Sequence, residues 1–188
     1  MMRRTFIAVD VVASEKVKEL YELVRYRMRL EKVNWVATSN LHITLNFLGE
    51  TEEELLPAIT QSIESVIVGQ TGFKLLLRSF GVFKSIHDPR VVWIGCDPCP
   101  PLQKIKKELD NNLSRLGFKP EYREFSPHLT LGRIKEIRQI NQLAQLVATY
   151  KDAVFQEQLV KSIVLYESRL TSTGSEYTPI RNFLFPLI

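Results

Sequence analysis

Leu41-His42-Ile43-Thr44-Leu45-Asn46-Phe47 and Pro127-His128-Leu129-Thr130-Leu131-Gly132-Arg133-Ile134 are the two stretches that decide the fold. In both, apolar and polar residues alternate with the period of a β-strand that has one buried and one polar face. Alternation puts His42 beside Thr44 and His128 beside Thr130, each pair on one face and about two residue rises apart. A single polar-face histidine on a half-buried strand is ordinarily structural. The chain has only three histidines, however, and two of them head near-identical tetrapeptides. If the two strands approach each other, two imidazoles and two hydroxyls converge on one cavity. The third histidine, His87, lies beside Asp88-Pro89 in a turn-like context and reads as a surface residue.

Outward from these stretches, helix and strand signals alternate. Arg4 to Val9 reads as a strand. Ser14 can cap a helix whose Val17, Leu20, Val24 and Met28 fall near helical spacing. Thr51 and Glu54 resemble a capping box opening a helix to about Val68, with Pro57 awkwardly inside it. Phe73 to Leu77 and Val91 to Ile94 read as strands, with Ser79 to Arg90 a loop between them. Pro100-Pro101 opens the clearest helix, striped by Leu102, Ile105, Leu109, Leu113 and Leu116 and closed by Gly117. A helix from about Ile137 to Tyr150 and strands from Phe155 to Tyr166 and Asn182 to Leu187 complete the chain. The expectation is an α+β protein of 188 residues, one unit with two internal pseudo-repeats at about 1–97 and 98–188.

Composition narrows the class. The chain is 45% hydrophobic and 24% charged, which is globular rather than disordered. Its 25 Lys and Arg against 21 Asp and Glu permit an anionic ligand without requiring nucleic acid. Asp10 interrupts the apolar run after Met1-Met2-Arg3-Arg4, so a signal peptide is not expected. No stretch approaches the roughly 20 apolar residues of a membrane span. A cytoplasmic monomer with no membrane association is the expectation. Cys96-Asp97-Pro98-Cys99, between a strand-like and a helix-like run, allows a thiol redox reading, but two cysteines cannot complete a four-ligand structural zinc site. The competing reading is two small residues in a strand-to-helix turn.

Imidazole titrates near neutrality, so of two histidines on one anion, one can stay neutral and accept a proton while the other stays charged and donates one. Threonine hydroxyls can hold phosphate oxygens without adding charge. Phosphoryl transfer chiefly needs such positioning and charge stabilisation. Neither a metal nor any other cofactor is called for.

The paired His-x-Thr-Leu motifs resemble those of the 2H phosphoesterases. Within them, the chain is similar to the bacterial and archaeal RNA 2′,3′-cyclic phosphodiesterases, also called the 2′-5′ RNA ligase family. Supporting segments are Arg4 to Asp10, Trp35-Val36, Asn40 to Glu50, Arg90 to Gly95, Ser126 to Arg133, and Tyr166-Glu167-Ser168 through Gly174 to Tyr177. The resemblance implies two pseudo-symmetric lobes, antiparallel sheets facing a central cleft, and helices outside. It implies hydrolysis of RNA or oligonucleotide 2′,3′-cyclic phosphate ends to 2′-phosphates, with RNA 3′ ends or cyclic nucleotides as partners. A ligase running the same chemistry and a non-catalytic RNA-end binder are the alternatives. By the family pattern His42 is the proton donor and His128 the base, although chemistry alone allows the reverse. Thr44 and Thr130 would bind phosphate, and Arg133 would add a cationic contact. Strict alternation puts Arg133 on the face opposite His128, unless Gly132 permits a bulge. Asn46 stands where the family often has Lys, and Phe83-Lys84 where it often has Phe-Pro. Phe83, Tyr122 and Phe125, placed in loops flanking the motif strands, are candidates for stacking a base.

Overall fold

β-Branched and aromatic residues crowd the start of the chain, and Thr5 to Val9 all become buried in its first strand. The computed structural model describes residues 1–121, 124–171 and 174–186. In chain order these form β1 (Met2–Asp10), α1 (Glu15–Arg27), β2 (Lys32–Trp35), β3 (His42–Glu52), α2 (Leu56–Ile67), β4 (Phe73–Ser85) and β5 (Asp88–Cys96). There follow α3 (Pro100–Arg115), β6 (His128–Glu136), α4 (Ile140–Tyr150), β7 (Val154–Val160), β8 (Ser162–Thr171) and β9 (Gly174–Leu184). The strands make two antiparallel sheets, ordered β3-β1-β8-β9 and β2-β6-β5-β4-β7. Each sheet carries one His-x-Thr strand. Each also draws strands from both halves of the sequence, so the lobes are not the halves.

Ile7, Ile43 and Leu45 of the first sheet and Leu77, Ile94, Leu129 and Leu131 of the second belong to one continuous hydrophobic cluster with all four helices. Helices α2 and α3 pack on β9 and β3, whereas α1 and α4 pack on β7 and β4. Two helix ends form as their residues dictate. Ser14 Oγ accepts the Val17 amide. Gly117, at φ 91°, closes α3 with Phe118 N–H donating to the Leu113 carbonyl and Gly117 N–H to that of Ser114.

Several elements differ from the sequence reading. Thr51 does not cap α2. It ends inside β3, where its hydroxyl meets that of Thr5 at 2.7 Å, and a 3-10 turn (Glu53–Leu55) precedes the helix. Pro57 then falls in the first turn of α2, where its missing N–H costs nothing. The expected loop Ser79 to Arg90 is a hairpin instead: β4 continues to Ser85 and β5 begins at Asp88. Ser79, at φ 67°, is skipped in the register, and this bulge hides the strand period from a reader of the sequence. The single strand expected over Phe155 to Tyr166 is two, β7 and β8, which part at Lys161 into different sheets. The last strand starts at Gly174 rather than Asn182, and α4 starts at Ile140 rather than Ile137.

Candidate active site

Register explains how the two motifs are aimed. Along β1 and β3 the pairs run Asp10 with His42, Val9 with Ile43 and Ala8 with Thr44, then skip Leu45 to join Ile7 with Asn46. Along β5 and β6 they run Gly95 with His128, Ile94 with Leu129 and Trp93 with Thr130, then skip Leu131 to join Val92 with Gly132. Each motif therefore ends in a β-bulge at the Leu after its Thr. Beyond Leu131 the alternation is reset. Ile134 joins Leu129 and Leu131 in the core, and exposed Arg133 returns to the face of His128 and Thr130. The same reset in β3 turns Asn46 away from the histidine and toward α3. There its amide donates to Asp110 Oδ1 at 2.6 Å, and the buried Lys106 ammonium bonds the same carboxylate. Asn46 thus has no access to a ligand held by His42. Phe47, paired with Phe6, occupies in the first motif the place Arg133 holds in the second.

Strands β3 and β6 approach across the cleft to within 8 Å between Cα atoms. His42 Nδ1 lies 2.7 Å from the Asn40 carbonyl and His128 Nδ1 lies 2.8 Å from the Ser126 carbonyl. A carbonyl can only accept, so both Nδ1 atoms carry the proton and both Nε2 atoms are left for a ligand. The Phe6 ring stands 4.9 Å from His42, the Tyr177 ring meets it edge-on at 5.2 Å, and Phe83 meets His128 edge-on at 4.6 Å. Burial pushes both imidazole pKa values below the ordinary one. For His42 the charges of Arg133 and His128 push the same way, opposed by the Asn40 carbonyl and Asp10. For His128 Arg133 pushes down, opposed by the Ser126 carbonyl and Glu121. Arg133 lines the cavity that also reaches Tyr177, whose ring meets His42.

Three cavities open around this centre. One of about 310 Å³ is lined by Asp10, His42, Tyr166 and Tyr177. Another, of about 630 Å³, runs from Asn34 and Arg133 on one sheet to Ser175 and Tyr177 on the other. A third, of about 180 Å³, is walled by Phe83, Trp93, Ser126 and His128. Phe83 therefore reaches the site from strand β4, not from a loop. Phe125 is half-buried against the core, with Lys106 Nζ 5.7 Å from its ring centre. Tyr122 lies outside the described residues. His87 sits in the exposed turn between β4 and β5. Sequence reasoning passed over Phe6, Asp10, Trp93, Tyr166 and Tyr177, whose place at the site comes from strand pairing. Trp93 is the most revealing: it pairs with Thr130 and lies over Gly81 and Gly95, where a Cβ at either position would press into its ring.

The Cys96 thiol is pushed up to about 12, by burial first and then by Cys99 and Asp97, and so stays protonated at neutral pH. Cys99 is buried, its thiol directed at the Lys74 carbonyl. Cys96 is therefore not a reactive thiolate. Among the described residues no group of three or more His, Cys, Asp or Glu side chains is placed to hold a metal ion, and no helix is long and apolar enough to cross a membrane.

Two antiparallel sheets that bring one His-x-Thr strand each to a shared cleft define a 2H phosphoesterase. The chain belongs to the 2′-5′ RNA ligase superfamily, whose family model matches residues 13–170. A Methanocaldococcus jannaschii protein named RNA 2′,3′-cyclic phosphodiesterase is 38% identical over 96% of this chain and 99% of its own. The crystal structure of TT0787 from Thermus thermophilus matches with a TM-score of 0.78 and 25% identity over 97% of both chains. That of Escherichia coli LigT complexed with phosphate matches with a TM-score of 0.69 and 25% identity over 99% of both.

Proposed function

We propose that this protein hydrolyses 2′,3′-cyclic phosphate ends of RNA or oligonucleotides to 2′-phosphates. The observation that carries the reading is a pair of imidazoles on two strands that approach each other, each fixed as the Nδ1–H tautomer by a backbone carbonyl, with Arg133 lining the cavity between the sheets. His128, neutral, takes a proton from water through Nε2 as the water oxygen attacks phosphorus. His42, protonated, gives its Nε2 proton to the 3′ oxygen as the P–O3′ bond breaks, leaving a 2′-phosphate and a free 3′-hydroxyl. The hydroxyls of Thr44 and Thr130 and the guanidinium of Arg133 hold the non-bridging oxygens, whose charge grows in the transition state. A base can stack on the Phe83 and Trp93 wall, whose rings lie 5.2 Å apart. The name of the M. jannaschii relative and the phosphate complex of LigT support this assignment.

Hydrolysis of a nucleoside 2′,3′-cyclic phosphate in EDTA, with the product isomer identified, tests it. Wild type yields the 2′-phosphate in the presence of the chelator, and His42→Ala and His128→Ala each lose about 10² to 10⁴ in kcat/KM, the usual worth of a general acid or base. A 3′-phosphate product, or turnover indifferent to either substitution, overturns the assignment. Replacing water by a ribose 5′-hydroxyl makes the same site a 2′-5′ ligase, and adding a 5′-hydroxyl oligonucleotide to the assay reads that reaction directly.

A further inference from the structure

The two motifs match in sequence, bulge and Nδ1 anchoring, yet their cross-strand partners do not match. Opposite His128 stands Gly95, which has no side chain. Opposite His42 stands Asp10, on the same face of the sheet. Directly opposed residues of an antiparallel pair hold their Cβ atoms roughly 4.5–5.5 Å apart, within reach of an imidazole and a carboxylate. The carboxylate is also held in place: the Tyr166 hydroxyl, from β8 on the other side of β1, donates to Asp10 Oδ1 at 2.7 Å. Phe6, on the same strand as Asp10, stacks on Tyr166 at 5.1 Å and touches His42, so Asp10, Tyr166 and His42 form one packed group.

We propose that Asp10, held by Tyr166 across the strand pair from His42, is the positioning residue that makes His42 rather than His128 the proton donor. This rests on the reading of the site as a two-histidine phosphodiesterase and supplies what the paired motifs cannot, a difference between them. A carboxylate beside a phosphate site repels the substrate. Its presence here serves the chemistry because it favours the charged form of the imidazole it faces. Among the described residues, the groups facing His42 are Asp10 from β1, Tyr166 from β8, Tyr177 from β9, and His128 and Arg133 from β6. Of these only Asp10 is an acid whose charge draws His42 upward; Arg133 and His128 oppose it. Burial first, and then Asp10, raise the Tyr166 phenol, which therefore remains a neutral donor. For His128 the acid that draws it the same way is Glu121, outside the strands.

The test is histidine titration by NMR together with the pH profile of kcat/KM, on wild type, Asp10→Asn and Asp10→Glu. Asparagine keeps the acceptor for Tyr166 and removes the charge. Asp10→Asn is expected to lower the titration midpoint of His42 by about half a unit to one unit, as loss of a carboxylate at this range in a wet site should, and to leave that of His128 in place. The alkaline limb of the rate profile then moves toward acid by a similar amount, and Asp10→Glu restores most of both shifts. Equal movement of both histidines, movement of neither, or displacement of the acid limb alone overturns the proposal. Absence of turnover in wild type with a selective shift of His42 would count against the phosphodiesterase reading while leaving the pairing of Asp10 with His42 supported.

Discussion

Each imidazole is held by a single backbone carbonyl at one nitrogen and is otherwise flanked by aromatic rings, and that has a consequence for folding as well as for chemistry. Burial keeps both folded-state pKa values below the ordinary 6.5. Between the folded and unfolded values the unfolded chain binds more protons, so stability rises with pH there. The contribution is therefore complete above about pH 6.5 and is lost as pH falls through that value toward the folded pKa. Urea midpoints measured from pH 7.5 down to 5 should fall, and the fall should be smaller in a His42→Gln, His128→Gln double variant. A dianion such as sulfate, bound between protonated rings, should reverse the trend by favouring the charged forms. The two motif strands, with His and Thr on a shared face of each, were legible because a four-residue motif occurs twice. Asp10 and Trp93 were not, because nothing local marks a residue whose role depends on the strand beside it.

At the scale of the element, the bulge after each motif converts a strand into a site. Without the skip at Leu131, Arg133 would face the core. With it, Arg133 returns to the face of His128 and the space under the bulge is taken by neighbours: a Cβ at Gly132 would lie 2.8 Å from the Trp35 ring and 2.9 Å from Val33 Cγ1. Gly132→Val should lower stability by about 1–3 kcal/mol, the usual range for overpacking, seen as a lower urea midpoint at unchanged slope. It should also pull kcat/KM down toward that of Arg133→Ala, since repacking under the bulge re-aims the next side chain. Full activity in that variant would mean that Arg133 is placed by something other than the bulge. The sequence raised the bulge only as something Gly132 could permit. Alternation located β3 and β6, a short apolar run of β-formers located β1, and caps and apolar stripes located α1 and α3, because those signals lie within one element. Strand β2 has only Lys32 to Trp35 to announce it, and β4 was cut short where Ser79 interrupts its period.

Over the whole molecule, the chain crosses between lobes so that neither half owns a sheet. Residues 1–97 bring β1 and β3 to the first sheet and β2, β4 and β5 to the second; residues 98–188 bring β8 and β9 to the first and β6 and β7 to the second. Cutting the chain at Pro98 would leave the first sheet as two separate ribbons. It would also take from β2 its only partner among the described strands, β6, and leave β6 and β7 unpaired within their own fragment. Two-stranded ribbons are marginal in water, and the continuous core places Ile7, Ile94, Leu129 and Leu165 in one cluster drawn from both halves. Fragments 1–97 and 98–188, made separately, should therefore each lack the near-UV circular dichroism of packed aromatic residues. Mixed, they should recover it together with phosphodiesterase activity, because His42 and His128 meet only when both sheets are complete. A fragment that folds alone would show that its half carries a sufficient core of its own, and the interleaved pairing would then be decoration on two independent units rather than the source of the cleft.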